Sequence, residues 1–139
     1  MSMMKIFDIA GSAVSAQSQR LNVVASNLAN ADTVAGPDGK TYKAREVTFQ
    51  TVMMNTGDGG PAAGVRVSNI TEDQSPGRRV FDPKNPAAGQ DGYVTYSNVN
   101  AVDEMVNMIS ASRSYQNDIE VMNTAKTLML KTLQMGQGG

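Results

Sequence analysis

RLNVVASNLANADT, residues 20 to 33, decides how the rest of the chain is read. Leu21, Val24, Leu28 and Ala31 fall at steps of three and four, the spacing of a helix with one buried seam. Asn27 and Asn30 leave that spacing intact, although asparagine is a poor helix former and a frequent helix stop. Followed backwards, the seam runs through Gln17, Val14, Ala10 and Phe7, so a helix is predicted over residues 4 to 31 with Gln17 as its one polar seam member. Ser2 or Asp8 can cap its start, and Gly11 weakens the first turns by about 1 kcal/mol.

A helix at a protein surface normally sets charged residues opposite its seam. Here Arg20 is the only charge between Ile9 and Ala31, and a second stripe, Ile9, Ala16 and Val23, lies off the seam. Such a helix can be covered on several sides without stranding an ion, which would cost several kcal/mol. Val23, Asn27 and Asn30 are therefore expected to meet neighbouring subunits, with the asparagines setting register by hydrogen bonding. Asn30 also suits a helix stop.

Residues 98 to 134 read as a second, longer helix. Its seam is Ala101, Met105, Met108, Ser112, Tyr115, Ile119, Met122, Lys126, Met129 and Leu133. Asn100 or Ser97 can cap it, Asp103 and Glu104 suit the positive end of the helix dipole, and Lys126 and Lys131 lie toward the other end. The run Gly136 to Gly139 stops it. Beside the seam lie Val102, Val106, Ile109 and Val121, interspersed with Asn117 and Asn123. This stripe has no evident cover within the chain, so it is expected to hold other subunits. In the competing arrangement the central insert folds back over it.

The middle holds all five prolines and most of the glycines. Short β-like runs, 43–52, 64–71, 77–82 and 92–96, stand between turn signals. The reading is an α+β chain: an N-terminal stem helix within residues 1–34, a small β-rich insert of three or four strands over 35–97, and a C-terminal stem helix within 98–139. The intrachain seam pairs Phe7, Val14, Leu21, Val24 and Leu28 with Met105, Met108, Tyr115, Ile119, Met122, Met129 and Leu133. Pairing of the seams gives an antiparallel coiled-coil stem with the insert at its far end.

Composition narrows the function. The 139 residues carry a net charge of −1 and include no His, Cys or Trp. Thiolate and imidazole metal sites and Ser-His or Cys-His nucleophiles are thereby excluded. No basic stripe suits nucleic acid, and no apolar run reaches the roughly 20 residues of a membrane-spanning helix. MSMMKIFDIAG, with Lys5 alone and Asp8 breaking the apolar run, does not read as a cleaved signal peptide. Asp118 and Glu120 point to different helix faces, and Asp103 with Glu104 looks like a dipole pair. SPGRR, residues 75–79, reads as a solvated strand edge. No catalytic residue, cofactor or metal site is expected, and the chain is read as a non-enzyme. With aromatics at 5% and ten methionines, a single copy has little large-residue burial to draw on.

RLNVVASNLANADT resembles the N-terminal signature of the flagellar rod and hook axial family, with Asn27-Leu28-Ala29-Asn30 its most specific core. Residues 92–136 look like the C-terminal region of a proximal rod subunit, and 73–88 resemble the short insert that separates such subunits from distal rod and hook proteins. Ser97 departs from the pattern, where proline is usual, as does Asn85, where histidine often stands. The resemblance implies a polymerising structural subunit of the drive shaft between motor and hook, exported without cleavage through the type III route and placed in the periplasmic space. It implies as partners other copies of the chain, the rod proteins FlgB, FlgF and FlgG, the basal adaptor FliE, and the P ring around the insert. A secreted coiled-coil adaptor or chaperone of the same export system is the alternative.

Overall fold

A computed structural model describes residues 3–55 and 60–137. Ser2, the loop residues 56–59 and the final two glycines lie outside the described residues. The element order is α1 (Met3–Ala29), β1 (Arg45–Asn55), β2 (Pro61–Glu72), β3 (Arg79–Phe81), β4 (Tyr93–Thr95) and α2 (Ala101–Gln137). β1 and β2 form one two-stranded sheet, and β3 and β4 another. All four strands fall on the β-like runs of the sequence, and the fold is α+β.

Local side chains close the end of α1 and the start of α2. The Asn30 side-chain amide donates to the Ser26 carbonyl (2.9 Å), and the Thr33 hydroxyl donates to the Asn30 carbonyl (2.8 Å), so carbonyls of the last turn of α1 are satisfied by side chains. At the start of α2 the Asn100 side-chain oxygen (Oδ1) accepts from the amides of Val102 (3.1 Å) and Asp103 (3.3 Å), which makes Asn100 the cap. Ser97, the other candidate, is buried and engaged elsewhere.

The chain divides into two compact units, each drawing on both helices and on the strands. The first comprises residues 1–20, 48–69 and 110–139. Its buried apolar positions are small, Ala10 and Ala16 on α1, Ala111 and Ala125 on α2, and Ala62 on β2, and Lys5 is buried with them. A Cβ added at Gly11 would lie 3.9 Å from the Met122 Cε, so the Met122 side chain of α2 reaches α1 where α1 has no side chain. The large residues Phe7, Val14, Ile119, Met122 and Met129 are half-buried around these small ones. Gln17 keeps its place in the α1 pattern with its Oε1 buried and unpartnered among the described residues. β2 packs on α1 in the same unit: the Ser12 hydroxyl donates to the Ile9 carbonyl (2.7 Å) and accepts from the Val65 amide (3.1 Å). The β insert is thus not confined to a far end of the helices. Its strand β2 reaches α1, where the Val65 amide bonds the Ser12 hydroxyl.

The second unit comprises residues 21–47 and 70–109. Here β3 pairs antiparallel with β4, with Arg79 opposite Thr95, Val80 opposite Val94 and Phe81 opposite Tyr93. The segment after α1 adds to the other edge of β4: the Ala35 amide donates to the Thr95 carbonyl (2.8 Å), and Val34 bridges Tyr96. Val94, at 0% exposure, fills the centre of this unit.

Candidate assembly surface

The asparagines of the opening motif do two different things. Asn27 is 1% exposed. Its carbonyl oxygen accepts from the Arg45 amide (3.0 Å) and from the Tyr42 hydroxyl (2.8 Å), and its side-chain amide donates to the Arg45 carbonyl (2.9 Å). One side chain therefore pairs with both backbone groups of Arg45, as a neighbouring strand would. The Tyr42 ring, 5.8 Å from the Arg45 guanidinium, completes the group. Val23, one turn earlier, is also buried. The expectation that Asn27 faces other subunits gives way, because the start of β1 takes up its side chain, and Val23 is buried as well.

Asn98 repeats the device. Its carbonyl oxygen accepts from the Ala44 amide (2.6 Å), and its amide donates to the carbonyls of Asp73 (2.8 Å) and Ser75 (3.0 Å). The Ser97 hydroxyl donates to the Ala31 carbonyl (2.7 Å). Three polar side chains thus tie the end of α1, the start of β1 and the approach to α2. The partners of Asn27 and Asn98 lie 15 to 54 residues away in sequence. No local pattern marks Tyr42 or Asn98 for this task.

Asp73 closes the turn beside Asn98. The Ser75 amide and then the Ser75 hydroxyl hold its carboxyl below the ordinary value of 3.8. For an acid with a lowered folded pKa, the stabilisation is complete above the ordinary value and is lost as pH falls through the lowered one. The Ser75 amide resonance is accordingly expected to titrate with a midpoint below 3.8, and a midpoint at or above 3.8 would rule the turn contacts out.

The arginines of SPGRR are engaged within the chain. Arg78 pairs with Asp32 (3.5 Å) and lies 4.9 Å from the Tyr96 ring. Arg79 pairs with Asp91 and lies 4.8 Å from the Tyr93 ring. The Tyr93 amide, and after it Arg79, holds the Asp91 carboxyl low. A hollow of about 670 Å³ in this unit is walled by glycine, proline and alanine, and its charged members are Arg79 and Asp91. Each neutralises the other, which leaves no free acid–base pair there. Among the described residues no group of His, Cys, Asp and Glu could hold a metal, and no helix is long and apolar enough to cross a membrane.

What α2 presents outward is different in kind. Val102, Met105, Val106 and Ile109 recur at i, i+3, i+4 and i+7, and all are more than half exposed. Asn117, Val121, Asn123, Leu128 and Leu130 are exposed as well. Of the residues assigned to the intrachain seam, Met105 (54%) and Leu133 (63%) stand in solvent. Met108 and Tyr115 are half-buried, as are Leu21 and Leu28, and Val24 is buried. Asn30 is half-buried, with its amide turned back on Ser26. A groove of about 470 Å³ between α1 and α2 is lined by Met3 and Ile6 on one side and by Asn117, Glu120, Val121, Thr124, Ala125 and Leu128 on the other. In the neighbouring groove, burial raises the Asp118 carboxyl above its usual range.

Among the described residues the chain is dominated by two long helices, of which α2 carries an uncovered apolar row. Residues 7–37 match the family described as flagella basal body rod protein, and 90–135 match the C-terminal domain described for flagellar basal body rod FlgEFG proteins. Over 137 residues the chain is 59% identical to the flagellar basal-body rod protein FlgC of Yersinia enterocolitica and 56% identical to that of Escherichia coli O6:H1, covering 99% of this chain and 100% of each relative. It is 48% identical over 139 residues to the FlgC of Buchnera aphidicola from Acyrthosiphon pisum, with the same coverage. The chain belongs to the FlgC family of flagellar basal-body rod proteins. It is a structural subunit of the rod and not an enzyme.

Proposed function

We propose that α1 and α2 pair as an antiparallel coiled-coil stem, and that the outward stripe of α2 wedges the subunit into a dense helical lattice that carries torque from motor to hook. Its neighbours there are other copies of the chain and the rod proteins FlgB, FlgF and FlgG, with the basal adaptor FliE at the base and the P ring around the insert. The rod crosses the periplasmic space, and the subunit reaches it uncleaved through the type III route. The grooves shared by Met3, Ile6 and Ile9 with Asp118, Val121 and Leu128 support the pairing, since residues early in α1 adjoin residues late in α2. The observation that carries the assembly reading is the exposed row Val102, Met105, Val106 and Ile109. Four such residues have no stabilising role in solution, and a contiguous apolar row marks a contact surface. Val121, Asn117 and Asn123 extend the proposed contact along the helix.

Ile109→Asp tests it. Because Ile109 is exposed, helix content and unfolding midpoint should stay within about 0.5 kcal/mol of the parent. Export should continue, while incorporation into purified basal bodies and swimming are lost. Motile cells with the variant present in their basal bodies would overturn the reading.

A further inference from the structure

Arg79 and Phe81 on β3 stand opposite Thr95 and Tyr93 on β4, while Val94 between them is 0% exposed. Side chains alternate across a strand, so these four share the outward face of the sheet. Arg79, Tyr93 and Thr95 line the hollow of about 670 Å³, a volume within the roughly 300–1,000 Å³ of small-molecule sites. The Phe81 and Tyr93 rings meet edge to face at 5.2 Å, and both are exposed.

The polar groups of the hollow select its ligand. On one wall the amides of Ala35, Gly36 and Gly39 donate to the carbonyls of Thr95, Lys40 and Gly36. On the other, Ala87 donates to the Asn85 side-chain oxygen, Ala88 to the Asn85 carbonyl and Gly89 to the Tyr93 carbonyl. Pro37 and Pro86 have no amide to give. At the floor the Tyr93 amide is taken by Asp91 (3.2 Å), and the Arg79 guanidinium is paired with the same carboxylate. An anion would therefore meet no free wall amide and only a cation already neutralised. What the hollow presents is acceptor oxygens, one fixed Arg–Asp pair and the Tyr93 ring. A matching ligand is uncharged, brings its own donors and has an apolar face. Sugar rings meet all three requirements, through their hydroxyls and their C–H faces.

We propose that this hollow binds a neutral oligosaccharide, with a sugar ring against Tyr93 and its hydroxyls on Arg79, Asp91 and the wall carbonyls. The site uses no residue of the α2 row, so it can fail while the assembly role stands.

Titration of the full chain with N-acetylchitotetraose should shift the amide resonances of Ala87, Gly89 and Tyr93 saturably. Tyr93→Ala should raise the dissociation constant by about tenfold or more. Ala87→Trp separates binding from folding. Ala87 is an exposed wall residue, so an indole there should fill the hollow and abolish the shifts with the urea midpoint unchanged. Asp91→Asn keeps an acceptor for the Tyr93 amide but leaves Arg79 uncompensated. That variant should gain binding of inorganic sulfate, which the parent chain should lack. Absence of saturable shifts with N-acetylchitotetraose, equal binding by Ala87→Trp, or sulfate binding by the parent would overturn the proposal. So would a hexaproline peptide that shifts the same resonances where the oligosaccharide does not, since that outcome assigns the hollow to a polypeptide.

Discussion

Asn27→Ala should lower the unfolding free energy of the chain by about 2–4 kcal/mol, read from urea midpoints. The substitution leaves the Arg45 amide, the Arg45 carbonyl and the Tyr42 hydroxyl without the partner they now share. Each buried polar group so orphaned costs about 1–3 kcal/mol, and water recovers part of it at the exposed Arg45 side. Asn27→Asp should be worse than alanine. It keeps the acceptor but turns an oxygen toward the Arg45 carbonyl, and it puts a charge at a site that is 1% exposed. Hydrogen exchange should show the loss first at the amides of Arg45 and Ala44. A midpoint for Asn27→Ala within about 0.5 kcal/mol of the parent would mean that the network contributes little to the fold.

The contrast between Asn27 and Asn30 shows what was legible in the sequence. The seam spacing gave both helices to within a few residues at each end, because period is a local property. Asn30 is legible too, since its partner Ser26 lies four residues back in the same helix. Asn27 was misread. Its partners lie fifteen and eighteen residues ahead, in the approach to β1 and at its first residue, and their placement against α1 leaves no periodic trace. Val23 is buried as well, and a helix with almost no charge gives no sign of which of its faces will be covered. Asn98 and Tyr42 carried no signal at all, and Ser97 was noticed for the wrong task. The outward row of α2 was legible because Val102, Val106 and Ile109 repeat a helical period that nothing else in the chain could use. The small residues that fill the first unit, Ala16 and Ala111 above all, were harder to see, since alanine is compatible with any face of a helix.

Gly77→Ala is the second large effect, about 3 kcal/mol or more. Its cause is a backbone collision. A Cβ at this position would lie 2.1 Å from the Tyr96 carbonyl oxygen and 3.2 Å from the Thr95 Cγ2. Backbone cannot swing aside as a long side chain can, and here it is held on both sides of the approach. The Tyr96 amide donates to the Arg78 carbonyl (2.7 Å), and Val34 bridges the other edge of Tyr96. Relief would require parting β3 from β4 at the point where their pairing begins, with Val94 and the Ser97 hydroxyl bond close behind. Gly39 and Gly136 give the controls, because an added Cβ meets nothing within 4 Å at either. Gly39→Ala should cost only the strain of its positive φ of 74°, about 1–2 kcal/mol. Gly136→Ala, in the last turn of α2, should be neutral or slightly stabilising. The order Gly77, Gly39, Gly136 in urea midpoints therefore separates collision from strain from propensity. Equal midpoints for Gly77→Ala and the parent would mean that β3 and β4 do not approach this closely. In cells the same variant should be absent from the rod although the outer face of α2 is untouched, since the second unit positions the segment that leads into that helix.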